Sequence, residues 1–256
     1  MLFIIILFFS NSVSADDKDK ERVIWNTVKN DYQQFYSSNH LIRMGLAFGG
    51  GAVMANTSID ENYQTWYQSH VRNSKTDEFA KVMKVFGEGI CFIPLSLIAA
   101  STEYYFNSDE EASVITNWGK RTARAYLLGG PAMLSMQRIT GASRPSETED
   151  ASRWKPFNDG NGVSGHAFIG AVPFLTIAHM NEENSLIKYF FYVVSGLTAW
   201  SRINDNDHFA SQAALGWYMA WEATDTILER EKEDSKLTII PLISHDRYGV
   251  CIGLKW

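Results

Sequence analysis

The chain is built from apolar stretches at helical spacing separated by polar breaks, with one change of period near its end. Residues 16–39 are polar and charged, yet Val23, Trp25, Val28, Tyr32, Phe35 and Tyr36 recur at roughly helical spacing. Six apolar segments follow, at 41–55, 79–100, 123–136, 166–180, 186–203 and 209–228. Their lengths and their leucine, alanine and methionine content predict helices. From Tyr248 the period becomes two: Val250, Ile252, Leu254 and Trp256 alternate with Gly249, Cys251, Gly253 and Lys255. That is a strand pattern, and 237–243 is its expected partner across 244–247. The expected fold is therefore an all-α helical bundle with a short C-terminal β-hairpin. An alternating strand ending in an aromatic also resembles the last strand of an outer-membrane barrel. Such barrels need at least about 8 strands, and the pattern here supplies a single pair, so the hairpin reads as an appendage.

Several apolar segments raise the question of a multispanning membrane protein, and their charges argue against it. Segment 79–100 carries Lys81, Lys84 and Glu88, and segment 209–228 carries Glu222 and Asp225. A spanning helix needs about 20 mostly apolar residues, and a central charge costs about 2.5 kcal/mol or more. The mean hydropathy of -0.18 agrees. A soluble or peripheral helical bundle is the expectation.

At 256 residues, 45% apolar and 20% charged, the chain has room for one large domain or two small ones. A net charge of -6 and the lack of a basic stripe argue against nucleic acid. The expected partners are a phosphate-containing small molecule or a lipid, with peripheral membrane contact left open and the oligomeric state unspecified. Residues 1–15 read as an export signal, with an apolar run from Leu2 to Phe9 and small residues Val13-Ser14-Ala15 before Asp16. The expected location is the periplasm or a membrane surface. The division expected is 1–15 signal, 16–40 N-terminal helical segment, 41–232 helical-bundle domain and 233–256 hairpin tail. Cys91 and Cys251 both lie in apolar runs, which fits either a disulfide or two buried thiols. Gly49-Gly50-Gly51 lacks the Gly-Lys-Ser/Thr of a phosphate-binding loop and suits close helix packing. Asn204-Asp205-Asn206-Asp207 lacks the glycine and distal glutamate of a calcium loop and suits turn and cap duty.

Three separated pieces carry candidate chemistry: Arg144-Pro145, Gly162-Val163-Ser164-Gly165-His166, and Ser201-Arg202 with His208 six positions after the arginine. The first two flank a Pro- and Gly-containing loop, the kind of ordered segment in which function concentrates. Arginine forks bond oxyanion oxygens in pairs, so Arg144 and Arg202 are candidates to hold a phosphate. Gly165 permits close backbone approach, with the Ser164 hydroxyl beside it. A neutral His208 near a helix start can attack phosphorus, and His166 can protonate the departing alkoxide. Gly162-x-Ser164-x-His166 misses the serine-hydrolase elbow, which wants glycine where His166 stands.

This combination resembles the type-2 phosphatidic acid phosphatase and vanadium haloperoxidase superfamily over about residues 120–228. Its signature is Lys-(six residues)-Arg-Pro, then Pro-Ser-Gly-His, then Ser-Arg-(five residues)-His-(three residues)-Asp. The resemblance implies an all-helical core with His208 as nucleophile and His166 as acid and base. It also implies that Arg144, Arg202, Ser164 and Gly165 hold the phosphate, in metal-free phosphatase chemistry without a cofactor. The chain departs from the signature at three places. Gln137 stands at the lysine position with Arg138 adjacent, both candidates to bind the phosphate and Arg138 to supply the missing charge after a small rotation; Val163 replaces the proline, and Gln212 replaces the aspartate that would support His208. An amide still fixes the histidine tautomer but brings no charge, so Asp205 or Asp207 is a candidate to compensate. The expected function is an exported phosphatase acting on a phosphate monoester or pyrophosphate, lipid-linked, through a phosphohistidine. The alternatives are a catalytically silent phosphate- or lipid-binding relative and a vanadate-dependent haloperoxidase.

Overall fold

Apolar faces with nowhere else to go set the architecture of the computed structural model, which describes residues 15–105, 110–147, 150–244 and 247–254. Its helices are α1 (Ala15–Phe35), α2 (Ser38–Ala55), α3 (Ile59–His70), α4 (Ser74–Val85), α5 (Phe92–Tyr105), α6 (Glu110–Thr140), α7 (Gly165–Met180), α8 (Ser185–Asn204) and α9 (Ala210–Lys236). Helix α7 is apolar almost all round and so must be buried. It runs through the middle, wrapped by α6, α8 and α9, with Phe168, Val172 and Leu175 in the core. Leu128 and Met133 of α6 and Leu215, Met219 and Ile227 of α9 close around it. Helices α1 and α2 lie against α9, α4 against α8, and α5 against α6. The all-helical expectation holds. Helix α9 runs on to Lys236 and leads directly into β1 (Leu237–Ser244), which pairs antiparallel with β2 (Arg247–Leu254) in the register Leu237↔Leu254 to Ser244↔Arg247. The export signal expected at 1–15 lies outside the described residues up to position 14. Among the described residues no helix is long and apolar enough to cross a membrane.

Four details correct the sequence reading. The single helix expected over 79–100 is two helices, α4 and α5, separated at 86–91. Gly89 has φ +73, a conformation that costs glycine little, and apolar periodicity does not register such a break. Helix α3 was not anticipated, because the residues it buries, Asp60, Gln64 and Tyr67, are mostly polar and give no apolar stripe. Close packing at the glycine triplet holds for Gly51 alone, where a Cβ would stand 2.7 Å from Leu215, whereas Gly49 and Gly50 face open space. Cys91 is an exposed free thiol, not a buried one.

The N-terminal helices are joined to the bundle by charge. Arg124 of α6 makes a two-pronged bond to Asp31 of α1 at 2.8 and 2.7 Å and a third to Glu231 of α9 at 2.6 Å. At the α2–α9 contact, fully buried His40 has Nδ1 2.5 Å from Glu222 Oε1 and Nε2 3.1 Å from Glu229 Oε2. Both partners are acceptors, so the ring donates from both nitrogens as an imidazolium. Arg43 bonds the same glutamates and Asp225, and its guanidinium lies over the Trp221 ring. The hydrogen bond to Glu222 raises the His40 pKa against the opposing effect of burial. Burial alone would raise Glu222, but bonds from His40, Tyr218 and Arg43 hold it low.

Since the folded pKa of His40 lies above the unfolded value of about 6.5, its contribution is complete below that pH and is lost as pH climbs through the raised folded value. The wild-type protein should exceed a His40→Gln variant in unfolding free energy by about 1–3 kcal/mol at pH 6, and the gap should shrink towards pH 9. Denaturant titrations at the two pH values measure it, and a pH-independent gap would remove the imidazolium from the account.

Candidate active site

The three pieces singled out in the sequence meet where the loop 141–164 and the turn between α8 and α9 reach the N-terminus of α7. The loop is held by its backbone: Ser143 N–H donates to Ala151 O (3.0 Å), Asn161 N–H to Ala142 O (3.0 Å) and Phe157 N–H to Arg138 O (2.8 Å). The α8–α9 turn reverses at Asn206, whose φ of 60 lies in the left-handed region that asparagine tolerates. The Arg202 carbonyl then accepts from both Asp207 and His208 N–H, at 3.0 and 3.2 Å. This folds His208 back over the end of α8.

Gln212 fixes the imidazole. It is fully buried, its Nε2 donates to Ser143 O (2.8 Å), and its Oε1 accepts from Phe209 N–H (3.2 Å). A main-chain carbonyl can only accept and a main-chain N–H can only donate, so the orientation of the amide is determined. Oε1 lies 2.9 Å from His208 Nδ1, which must therefore carry the proton. Nε2 of His208 is left with its lone pair. Burial pushes the His208 pKa down to about 4, the Gln212 hydrogen bond opposes this, and the charges of Arg202 and Arg144 reinforce it. Near neutral pH the ring is uncharged, with one specified tautomer. Asp207 pulls the other way but is outweighed, so the compensation considered for it falls short.

Asp207 is engaged elsewhere. Its Oδ2 binds Arg202 Nη2 at 2.6 Å and its Oδ1 stands 3.7 Å from Arg144 Nη1, so one carboxylate links the two arginines. Arg144 is also held through Nε to Asn161 Oδ1 (3.2 Å). Arg202 is almost wholly buried, and its Nε and Nη1 have no hydrogen-bond partner. Asp205 approaches Nη1 only to 3.9 Å. Leaving such donors unmet costs about 1–3 kcal/mol each, a deficit that an oxyanion removes.

Ser164 is the N-cap of α7, with its hydroxyl oxygen accepting from Ala167 N–H at 3.3 Å and its own N–H bonded to Gln212 O at 2.9 Å. The hydroxyl proton is what remains to donate. Gly165 and His166 follow, in the first turn whose N–H groups a helix leaves unpaired and where anions are favoured. The His166 pKa is lowered by burial, then by Arg202 and Lys84, while Asp207 and Glu88 act to raise it. Gln137, at the lysine position, spends its amide on Val163 O (2.7 Å) and lies 3.4 Å from where a Gly165 Cβ would be. It borders the site as a positioning group. The structure does not bring Arg138 in: its side chain is exposed and lies against Gly160, 3.5 Å from a built Cβ there. One step along a helix turns a side chain by about 100°, which explains the divergence from Gln137.

Sequence reasoning missed the supports. Asp60 of α3 accepts from Ser211 N–H (3.0 Å) and from the Ser211 hydroxyl, capping the first turn of α9 beside Gln212. Gln64 donates to Asn206 Oδ1 (2.7 Å) and Ile203 O (3.1 Å), and the Tyr67 hydroxyl donates to Asn204 Oδ1 (3.3 Å). The i, i+4, i+7 spacing of these polar residues is the one signal that would have exposed the helix.

Fold and site together define an all-helical protein in which two arginines and two histidines converge. Residues 113–226 match the model of the PAP2 superfamily. The chain is similar to that superfamily through this segment. Among solved structures it is similar in fold to the first transmembrane PAP2 type phosphatidylglycerolphosphate phosphatase from Bacillus subtilis, at 15% identity and a TM-score of 0.55. That likeness covers 80% of this chain and 98% of the other. No curated protein matches.

Replacing Gln212 with aspartate should shorten the side chain, strand the Ser143 carbonyl and lower stability by about 1–3 kcal/mol. The new carboxylate should also raise the His208 pKa, since it favours the imidazolium. Denaturation together with an NMR titration of the His208 ring reads both effects, and an unmoved titration would mean that position 212 does not control the imidazole.

Proposed function

We propose that the chain is a phosphatase that hydrolyses a phosphate monoester or pyrophosphate through a phosphohistidine at His208. The observation that carries this reading is the juxtaposition of a neutral His208, its Nδ1 committed to Gln212, with a buried Arg202 that has two unmet N–H donors. The Nε2 lone pair attacks phosphorus and the bond to the leaving oxygen breaks. His166 gives its proton to that oxygen. Water, deprotonated by His166, then cleaves the N–P bond and returns His208 to its neutral form. Arg202, Arg144 and the first-turn amides of α7 bear the charge on the equatorial oxygens. Gln212 keeps the tautomer that attack requires, which favours turnover over silent binding.

A lipid-linked substrate and an exported, membrane-peripheral location belong to the same proposal. The pattern of residues 1–15 supports export. A stripe on α8 supports contact with a membrane surface: Leu186, Tyr189, Phe190 and Val193, at i, i+3, i+4 and i+7, are all exposed.

The test is a phosphatase panel of lipid phosphates, isoprenyl pyrophosphates and aryl phosphates, with and without detergent, on wild type, His208→Ala and Gln212→Asp. Wild type should release phosphate and His208→Ala should lose at least about 10³-fold in rate, the scale of removing a nucleophile. Phosphate or vanadate binding without turnover in wild type, with activity appearing in Gln212→Asp, would establish the silent relative instead. Bromide oxidation on vanadate loading would establish the haloperoxidase.

The pH profile follows from the two histidines. His166 must carry a proton to act as the acid, and its pKa is lowered from 6.5, so kcat/KM should fall as pH rises through that lowered value. On the acid side His208 stays neutral down to about 4. An acidic optimum is expected, and a maximum above pH 8 would rule out this assignment of roles.

A further inference from the structure

The chain has no lysine at the first signature position, and Gln137, which stands there, bonds the Val163 carbonyl. Charge at the site is correspondingly short. Arg144 and Arg202 are offset by Asp207 and, at 3.9 Å, by Asp205, leaving at most one net positive charge to meet a phosphate monoester that carries up to two negative ones. We propose that Lys84, on α4 and outside the segment that matches the superfamily, supplies the missing cation and binds the substrate phosphate alongside Arg202. This rests on the phosphatase reading above.

The end of α4 is fixed against α8, which carries Arg202, and against α7, which carries His166. The Met83 carbonyl accepts from the Thr198 hydroxyl on α8 at 3.1 Å, and Thr198 lies one helical turn before Arg202. Three residues after Lys84, the backbone of Gly87 presses on His166: a Cβ built there would stand 2.7 Å from the His166 carbonyl oxygen, 2.9 Å from its Cβ and 2.8 Å from Thr198 Cγ2. Lys84 lies between these two anchors, in a turn closed by Gly87 N–H donating to its carbonyl at 2.9 Å. Its side chain is half-buried, and among the described residues it has no hydrogen bond or ion pair. A lysine without a protein counter-ion beside two site elements fits a site whose counter-ion is the ligand. The charge reaches the site: after Arg202, Lys84 is the cation that most lowers His166. A flexible four-carbon stem with three donors suits a phosphate approached from this side, whereas Arg138 points away against Gly160.

The experiment compares wild type with Lys84→Met, Lys84→Arg, Lys84→Met/Gln137→Lys and the exposed control Lys81→Met. Binding of inorganic phosphate and vanadate is measured by calorimetry, kcat and KM with the best substrate of the panel, and folding by thermal melting. Lys84→Met should melt like wild type, bind phosphate more weakly and lose about 100-fold in kcat/KM, the scale of one transition-state donor. Lys84→Arg should retain most activity, Gln137→Lys should restore much of what Lys84→Met loses, and Lys81→Met should behave as wild type. Unchanged phosphate binding in Lys84→Met, or a double variant no better than the single one, overturns the proposal. Wild type that binds phosphate without turnover overturns the phosphatase reading while the binding arm still judges Lys84. Wild type that binds neither anion overturns both.

Discussion

A buried amide must satisfy its donors and its acceptor, and at Gln212 that requirement organises the site. The side chain reaches Ser143 in the loop after α6, Phe209 at the start of α9 and the ring of His208, while the main-chain carbonyl of the same residue takes the Ser164 N–H at the head of α7. One residue thus ties together the three chain segments that carry Arg144, His166 and His208. In the low-dielectric interior each of these bonds is costly to lose, so the network is nearly all-or-none. The glutamine trades the charge of an aspartate for an extra donor, and that donor is what anchors the arginine-bearing loop.

The same demand for satisfied polar groups explains helix α3. Apolar packing holds α6, α7, α8 and α9 to one another, but the turn between α8 and α9 is polar and needs polar contacts. Asp60, Gln64 and Tyr67 provide them, with Asp60 capping α9 and Gln64 and Tyr67 bonding the turn itself. Burial raises the Asp60 pKa while its bonds to Ser211 lower it, a sign of how fully that carboxylate is enclosed. The polar face of α3 is the reason the His208-bearing turn can be buried and still keep one shape.

Electrostatics in the site are set by depth. His208 is enclosed and stays neutral, and Arg202 is enclosed with its pKa pushed below the ordinary value. Asp207 remains partly exposed and balances part of the arginine charge. Elsewhere the arrangement is reversed: His40 is equally buried but faces two glutamates, so it is held charged and joins α2 to α9. Two histidines in one bundle thus take opposite protonation states because of what lies opposite their ring nitrogens.

By itself the sequence determined the helical class, the position of most helices and the residues that meet at the candidate site. Apolar periodicity and the spacing of Arg144, Ser164-Gly165-His166, Arg202 and His208 are local properties that one chain displays. The break at Gly87–Gly89, the polar-faced helix α3 and the outward turn of Arg138 were decided by tertiary structure. Each depends on a partner far along the chain: His166 beneath Gly87, Ser211 against Asp60, Gly160 beside Arg138. The role of Gln212 lies between the two. Its identity was legible as a departure from a signature, but its meaning came from Ser143, sixty-nine residues away, whose carbonyl makes an amide rather than a carboxylate the group that fits.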